Sequence, residues 1–117
     1  MPLNSVVLYV RDVEATAAFY AKHFGFEVAR EAGDRIVELF GPGASLRLHA
    51  MAKSQKAGQV LVKLSFDVRD VEGFCARARA DGLAFGPLQK GAGYVFANAR
   101  DPNGNPVQVT SRAFRHG

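Results

Sequence analysis

The chain has 117 residues, of which 48% are hydrophobic and 22% charged, and these values fit one globular domain with a sizeable core. No apolar run approaches the roughly 20 residues that a membrane-spanning helix needs, so we expect no membrane partner. The net charge is +4, but the lysines and arginines are scattered rather than gathered into a basic stripe. We therefore expect no nucleic-acid partner either.

Two features predict a cytoplasmic protein. Cys75 is the single cysteine, so no internal disulfide can form, as is usual in a reducing compartment. The first five residues lack the basic and apolar regions of a secretory signal. Cys75 lies in an alanine-rich helical stretch, where we expect a small buried side chain rather than a nucleophile.

An internal repeat organises the chain. The pentapeptide Val-Arg-Asp-Val-Glu occurs at residues 10–14 and again, unchanged, at 68–72. Each copy follows a strand-like run and opens an amphipathic segment that stops at a glycine, Gly25 or Gly82. The same ordered features twice predict two copies of one structural unit.

The first copy reads as strand, helix, strand, strand, strand. After the strand 6–9, Asp12 is a suitable helix N-cap and Gly25 a suitable helix end. Apolar residues recur between them at helical spacing: Val13, Ala17, Phe19, Tyr20 and Phe24. Further strands are predicted at 26–30, 35–40 and 45–51, with a glycine- and proline-rich turn at 41–43.

The second copy repeats this order. Strand 64–67 leads to Asp70 as N-cap and to a helix that ends at Asp81-Gly82. A weak strand is predicted at 84–85, then strands at 94–100 and 106–110, joined by a hairpin turn at Asn103-Gly104. We therefore predict a single domain over residues 1–117: a first module at about 4–52, a linker at about 53–58 around Gly58-Gln59, and a second module at about 59–112.

The predicted class is α+β, with two βαβββ modules and sheets that are apolar on one face. Apolar and polar residues alternate in the strands, as in Leu46-Arg47-Leu48-His49 and Val107-Gln108-Val109-Thr110. The apolar faces pack against the helices. The polar faces either meet water or line a pocket, and composition does not choose between these.

The opening and closing motifs carry a family resemblance. Residues 7–13 with Phe19-Tyr20 and Phe24-Gly25-Phe26, and the closing run 101–109, resemble the glyoxalase/bleomycin-resistance/extradiol-dioxygenase group, the vicinal oxygen chelate superfamily. The resemblance implies a cupped eight-stranded mixed sheet with the helices outside. It does not fix an activity, because that superfamily contains isomerases, dioxygenases, epimerases, thiol transferases and drug-binding proteins.

The resemblance also implies where a metal would bind. Metal-dependent members place histidine, glutamate or glutamine on the first and fourth strands of each module. The matching positions here are Ser5, Arg47 (or His49 after a two-residue slip), Lys63 and Gln108. Protonated lysine and arginine have no lone pair to offer and repel a cation, so we expect neither a metal nor another cofactor.

The polar faces supply the candidate ligand-binding residues: Arg47, His49, Lys63, Gln108, Ser5, Tyr9, Tyr94 and Phe96. Arginine and lysine there suit a carboxylate or phosphate, and the aromatic rings suit an apolar wall. Structural roles stay open: Arg47 pairing with Glu38, Lys63 pairing with Asp67 or lying at a subunit contact, and the aromatic rings lying in the core. We assign Phe19, Phe24, Phe66 and Phe74 to the core, and the tail arginines to a solvated end.

The leading hypothesis is a metal-independent small-molecule-binding protein of the bleomycin-resistance type, one that sequesters an anionic or aromatic compound. The resemblance further implies a homodimer. The alternatives are an enzyme, either a metal-dependent lyase, isomerase or dioxygenase or a metal-free isomerase that uses His49, and a partner-binding domain without a small-molecule site.

Overall fold

The structure is a computed structural model that describes residues 2–54, 56 and 62–116. It divides into two compact units, residues 1–57 (module 1) and 58–117 (module 2). Gly58-Gln59, predicted to link the modules, lies outside the described residues. Within those residues, no helix is long and apolar enough to cross a membrane.

Module 1 has one helix and a four-stranded mixed sheet. Its elements in chain order are β1 (Ser5–Val10), α1 (Val13–Phe24), β2 (Glu27–Ala29), β3 (Val37–Phe40) and β4 (Ser45–Ala50). The strand order in the sheet is β1-β4-β3-β2. Strands β1 and β4 are parallel because α1 and two strands separate them in the chain, and the other neighbours are antiparallel.

Module 2 repeats this arrangement. Its elements are β5 (Leu64–Asp67), α2 (Val71–Ala80), β6 (Gln89–Lys90), β7 (Val95–Arg100), β8 (Pro106–Thr110) and a short 3₁₀ turn at Arg112–Phe114. The strand order is β5-β8-β7-β6, again with one parallel pair, β5 and β8. The predicted α+β class and the two βαβββ units are thereby confirmed.

The repeated aspartates cap the helices as predicted. An Asp12 carboxylate oxygen accepts a hydrogen bond from the Ala15 amide at 3.0 Å, and Asp70 does the same for the Gly73 amide at 2.9 Å. These bonds satisfy amides of the first turn that have no partner within the helix. Gly25 ends α1 with φ +73°, a conformation that glycine adopts at little cost.

The weak strand predicted at 84–85 is wrong, because the second strand of module 2 lies at Gln89–Lys90. The Gly86 amide donates to the Asn98 carbonyl at 2.8 Å, so the chain does run beside β7 at that point. Pro87 follows and has no amide hydrogen to donate, so a continuous ladder cannot form there. Pairing resumes where Gln89 lies opposite Phe96.

The assignment of four phenylalanines to the core also needs correction. Phe19, Phe24, Phe66 and Phe74 are each partly exposed, whereas Tyr20 and Phe26 are buried. Helix α1 directs Thr16, Ala17 and Tyr20 inward, at the spacing that puts side chains on one face. Phe19 lies one position around the helix from that face, so it reaches the core only at its edge.

The connection between β7 and β8 is a hairpin loop built on Asp101, which is 5% exposed. One of its carboxylate oxygens accepts from the amides of Asn103, at 2.8 Å, and Asn105, at 2.9 Å. The other accepts from the Asn105 side-chain amide at 3.2 Å. The predicted hairpin is confirmed, and Gly104 supplies the positive φ of +79° that the turn needs.

Candidate functional site

The outward face of the module 1 sheet, the module 1 polar face, consists of Ser5, Val7, Tyr9, Glu38, Arg47 and His49. The strand register brings these side chains together: Arg47 lies between Val7 and Glu38, and His49 lies beside Tyr9. The residues between them, such as Leu8 and Leu48, are buried. Val7 and Tyr9 are 43% and 55% exposed, so this face presents apolar surface next to its polar groups.

Arg47 is only partly neutralised on this face. Its Nε lies 3.8 Å from a Glu38 carboxylate oxygen, which is within ion-pair range but too long for a hydrogen bond. That Nε is buried and has no hydrogen-bond partner. The predicted pairing with Glu38 therefore exists as a loose ion pair, and the guanidinium keeps unused donor capacity. Because its Nε is inaccessible, a ligand would meet the two terminal amino groups.

His49 contributes an imidazole that packs at a tilt against the exposed Tyr9 ring. The centroids of the His49 and Tyr9 rings are 5.2 Å apart, with the planes tilted by 49°. His49 Nδ1 lies 2.8 Å from the Ala50 carbonyl oxygen. A carbonyl oxygen can only accept, so Nδ1 carries the proton in this contact, and Nε2 is the nitrogen left for a ligand. No carboxylate contacts His49 in the described part of module 1.

The module 2 polar face consists of Lys63, Ser65, Phe96, Asn98 and Gln108, and its polar members form a chain of hydrogen bonds. The Ser65 hydroxyl donates to Gln108 Oε1 at 3.0 Å, and Gln108 Nε2 donates to Asn98 Oδ1 at 3.2 Å. The Lys63 ammonium donates to the same Asn98 oxygen at 3.1 Å. The Lys63 ammonium therefore places a positive charge at one end of this hydrogen-bond network.

The alternative that Lys63 pairs with Asp67 is wrong. Four residues along an extended strand span about 13 Å, so two side chains at that spacing lie on one face without meeting. Asn98 meets Lys63 instead because β7 lies across the sheet from it. Asn98 is not among the residues that the sequence predicts for this face, yet a hairpin centred on Asn103 puts residue 98 directly opposite Gln108.

The residues at the positions expected for metal ligands do not fit a divalent ion. Gln108 Oε1, the atom that would coordinate a metal, already accepts a hydrogen bond from Ser65. The other end of the Gln108 amide shares the Asn98 oxygen with the Lys63 ammonium, which brings a positive charge close to this position. In module 1, Ser5 lies beside Ser45, and Arg47 brings a second cation. Among the described residues, no three histidine, cysteine, aspartate or glutamate side chains are grouped so that they could hold a metal.

Tyr94 and Phe96 lie on module 2 with their ring centroids 6.0 Å apart, but Tyr94 has other neighbours too. Arg112 donates from its Nη1 to the Tyr94 hydroxyl at 2.9 Å. The guanidinium carbons of Arg112 and Arg115 lie 5.1 and 5.7 Å from the Tyr94 ring centroid. The side chain of Arg112 is exposed, as expected for a solvated end, and that of Arg115 is partly exposed. Both guanidinium groups also pack against the Tyr94 ring.

Module 1 also has an open cleft of about 190 Å³ that contains none of the predicted site residues. It lies beside the β2–β3 hairpin and is lined by Ala29, Glu31, Asp34, Ile36, Glu38 and Phe40. The Asp34 carboxylate accepts from the Ile36 amide at 2.9 Å and so shapes the loop between the two strands. Glu38 is shared with the polar face through its ion pair with Arg47.

Cys75 is half-buried on α2, and this burial raises the pKa of its thiol. A raised pKa leaves less thiolate at neutral pH, and the thiolate is the nucleophile. We expect iodoacetamide at about pH 8 to alkylate the folded protein several-fold more slowly than the guanidinium-unfolded chain. Alkylation as fast as in the unfolded chain, with glutathione as the reagent control, would contradict an inert thiol.

Known proteins share the fold of this chain. The family model described as the Glyoxalase/Bleomycin resistance protein/Dioxygenase superfamily matches residues 3–109. A search of curated proteins found no match to this sequence.

Solved structures with the same fold include proteins of different activities. A glyoxalase family protein from Enterococcus faecalis is 23% identical, with a TM-score of 0.80 over 93% of this chain and 96% of that one. The antibiotic-binding protein TnmS3 from Streptomyces sp. CB03234 is 23% identical, with a TM-score of 0.77 over 93% of each chain. A lactoylglutathione lyase from Agrobacterium tumefaciens is 23% identical, with a TM-score of 0.74 over 93% and 92%. At these identities the likeness establishes the fold alone.

Proposed function

This chain belongs to the glyoxalase/bleomycin resistance protein/dioxygenase superfamily, and on that premise we propose that it is a metal-independent binding protein for a small organic anion. The observation that carries the proposal is the position of the Lys63 ammonium, which donates a hydrogen bond to Asn98 Oδ1 at 3.1 Å. Gln108 donates to the same oxygen, so all three side chains belong to one hydrogen-bond network. A positive charge held at this position opposes a divalent cation and attracts an anion.

The module 1 polar face supports the organic part of the proposal. Arg47 offers the terminal edge of its guanidinium, which matches the two oxygens of a carboxylate. Tyr9 and Val7 are exposed beside it and provide apolar area, and His49 adds a ring with one nitrogen directed away from the backbone. Small-molecule sites commonly combine apolar walls with a few placed polar groups.

Binding rather than catalysis is the function that the described contacts support. A general base needs a reacting partner within hydrogen-bond reach, and His49 contacts Tyr9 and Ala50 in the described part of the chain. The fold is compatible with a binding role, since TnmS3 is an antibiotic-binding protein. We further propose that the protein is cytoplasmic. We also propose that it forms a homodimer, and the molar mass of the purified protein from light scattering tests this.

A ligand screen with matched variants tests the proposal. We expect small carboxylates with an aromatic group to raise the melting temperature of the wild-type protein, by the equivalent of about 2.7 kcal/mol at 100 times the dissociation constant. Replacing the cation of the face that binds a given hit, Arg47 in module 1 or Lys63 in module 2, with alanine should weaken binding by about tenfold or more, because a charged hydrogen-bond donor is lost. The variant that abolishes a hit also identifies the face that binds it.

The controls are exposed cations of the same type in the same module. Arg35→Ala in module 1 and Lys90→Ala in module 2 remove equal charge away from the two polar faces. If these controls weaken binding as much as Arg47→Ala and Lys63→Ala, net charge rather than a site accounts for it, and the proposal fails. Stoichiometric zinc, nickel, manganese or iron in the purified protein would overturn the metal-independent part separately.

A further inference from the structure

The last third of the chain carries a net positive charge. Residues 83–117 contain Lys90, Arg100, Arg112 and Arg115 against one acidic residue, Asp101. Asp101 is buried and uses its oxygens to hold its own loop. In the described part of the chain, no ion pair involves Arg112 or Arg115.

The segment that carries these arginines is fastened to the sheet. The Ser111 amide donates to the Val95 carbonyl at 3.0 Å, and the Val95 amide donates to the Ser111 hydroxyl at the same distance. The Arg112 amide donates to the Thr110 hydroxyl at 3.1 Å. Farther along, the Arg69 guanidinium lies 4.2 Å from the centroid of the Phe114 ring. These contacts therefore fix the position of the backbone from which the Arg112 and Arg115 side chains extend.

Tyr94 positions both guanidinium groups. Its hydroxyl accepts from Arg112 at 2.9 Å, and its ring is the cation–π partner of Arg112 and Arg115. Gly91 lies against the same ring, so closely that a β-carbon at residue 91 would stand 2.2 Å from Tyr94 Cζ. The absence of a side chain at Gly91 thus allows the ring to lie where both arginines reach it. We call Tyr94, Arg112 and Arg115 the arginine–tyrosine cluster.

We infer that the arginine–tyrosine cluster is a binding site for a dianionic phosphate group on a small molecule, and its cations are distinct from Arg47 and Lys63, on which the proposed function rests. Guanidinium groups match phosphate oxygens through paired N–H donors, and two of them balance two negative charges. Arg115 uses its Nε to donate to His116 at 3.1 Å, which leaves its two terminal amino groups for a ligand. Contact with one ring holds both cations in place before binding, which lowers the entropy cost of association.

Titration with inorganic phosphate and with pyrophosphate tests this inference. At constant ionic strength, we expect saturable shifts of the Nε–H NMR signals of Arg112 and Arg115, and tighter binding of pyrophosphate than of phosphate. Arg112→Lys and Arg115→Lys keep the charge but lose the paired donors, so each should weaken binding by about tenfold. Arg79→Lys, at an exposed position on α2, is the matched control and should bind as the wild type does.

The role of the ring is tested with Gly91→Ala and Tyr94→Leu, which alter the position of the arginines without changing the charge. Both should weaken phosphate binding about as much as the lysine variants. Circular dichroism checks that each variant is folded. Gly91→Ala displaces the Tyr94 ring, whereas Tyr94→Leu removes it, so the two variants test its role independently. Unsaturated shifts, equal weakening by Arg79→Lys, or wild-type binding by the Arg112 and Arg115 variants would overturn the site. Tighter binding of a short oligonucleotide than of pyrophosphate at equal phosphate concentration would overturn the small-molecule assignment.

Discussion

Replacing Asp101 with alanine is expected to destabilise the protein by about 2–5 kcal/mol, because it leaves buried amide groups without acceptors. The Asp101 carboxylate accepts from two backbone amides and one side-chain amide of the hairpin loop. Alanine offers no oxygen at this position, and the loop is too buried for water to replace it without rearrangement. Urea unfolding of the variant and the wild type measures the difference.

Two neighbouring substitutions separate this network from a general effect of the loop. Asp101→Asn keeps the oxygen that accepts from the two backbone amides, so it should lose less stability than Asp101→Ala. Arg100→Ala removes an exposed hydrogen bond to the Gly104 carbonyl and should cost less than about 1 kcal/mol. A loss below about 1 kcal/mol for Asp101→Ala would show that the loop finds other acceptors, contrary to this account.

The features predictable from the sequence are those that local chemistry determines. An aspartate before an amphipathic segment caps a helix through an amide three residues away, and both Asp12 and Asp70 do so. An Asn-Gly pair between two strands closes a hairpin, and Asn103-Gly104 does so. Repetition of the Val-Arg-Asp-Val-Glu segment with its capping aspartate after 58 residues predicts the two-module organisation. Each signal acts over a few residues, so a single sequence contains it in full.

The contacts of the candidate site depend instead on which strand lies beside which. Lys63 has an aspartate four residues away in the chain, but its hydrogen-bond partner is Asn98, thirty-five residues away. Register in the β5-β8-β7 part of the sheet determines that contact, and no local pattern around Lys63 contains it. The ion pair of Arg47 with Glu38 is predictable, because the short connection between β3 and β4 fixes their register.

The contacts of Arg112 and Arg115 also depend on residues that are distant in the sequence. Arg112 and Arg115 follow the last strand and have the composition of a solvated end. Their position depends on Ser111, which bonds back to Val95, and on Gly91, which makes room for the Tyr94 ring. A glycine that permits a contact twenty-one residues away gives no local signal in the sequence, so this cluster became visible only with the fold.

Replacing Tyr20 with alanine is expected to destabilise the protein by about 3–5 kcal/mol, the loss typical of a large aromatic side chain in a core. Tyr20 is completely buried on α1, with its ring near those of Phe24 and Phe26. Helix α1 packs on β3 and β4, so a cavity at Tyr20 loosens the attachment of the helix to the sheet that carries Glu38 and Arg47. Equilibrium unfolding in urea measures the loss.

Phe19→Ala is the matched control, since it truncates the adjacent aromatic residue on the same helix. Phe19 is partly exposed, and its ring contacts Tyr20, His23 and Phe24 at the edge of the core. Because less of its surface leaves water on folding, we expect a loss of about 1–2 kcal/mol. Equal losses at the two positions would mean that apolar spacing alone predicts their contributions. A clearly larger loss at Tyr20 would establish that the orientation of α1 on the sheet, rather than residue type, determines which ring stabilises module 1.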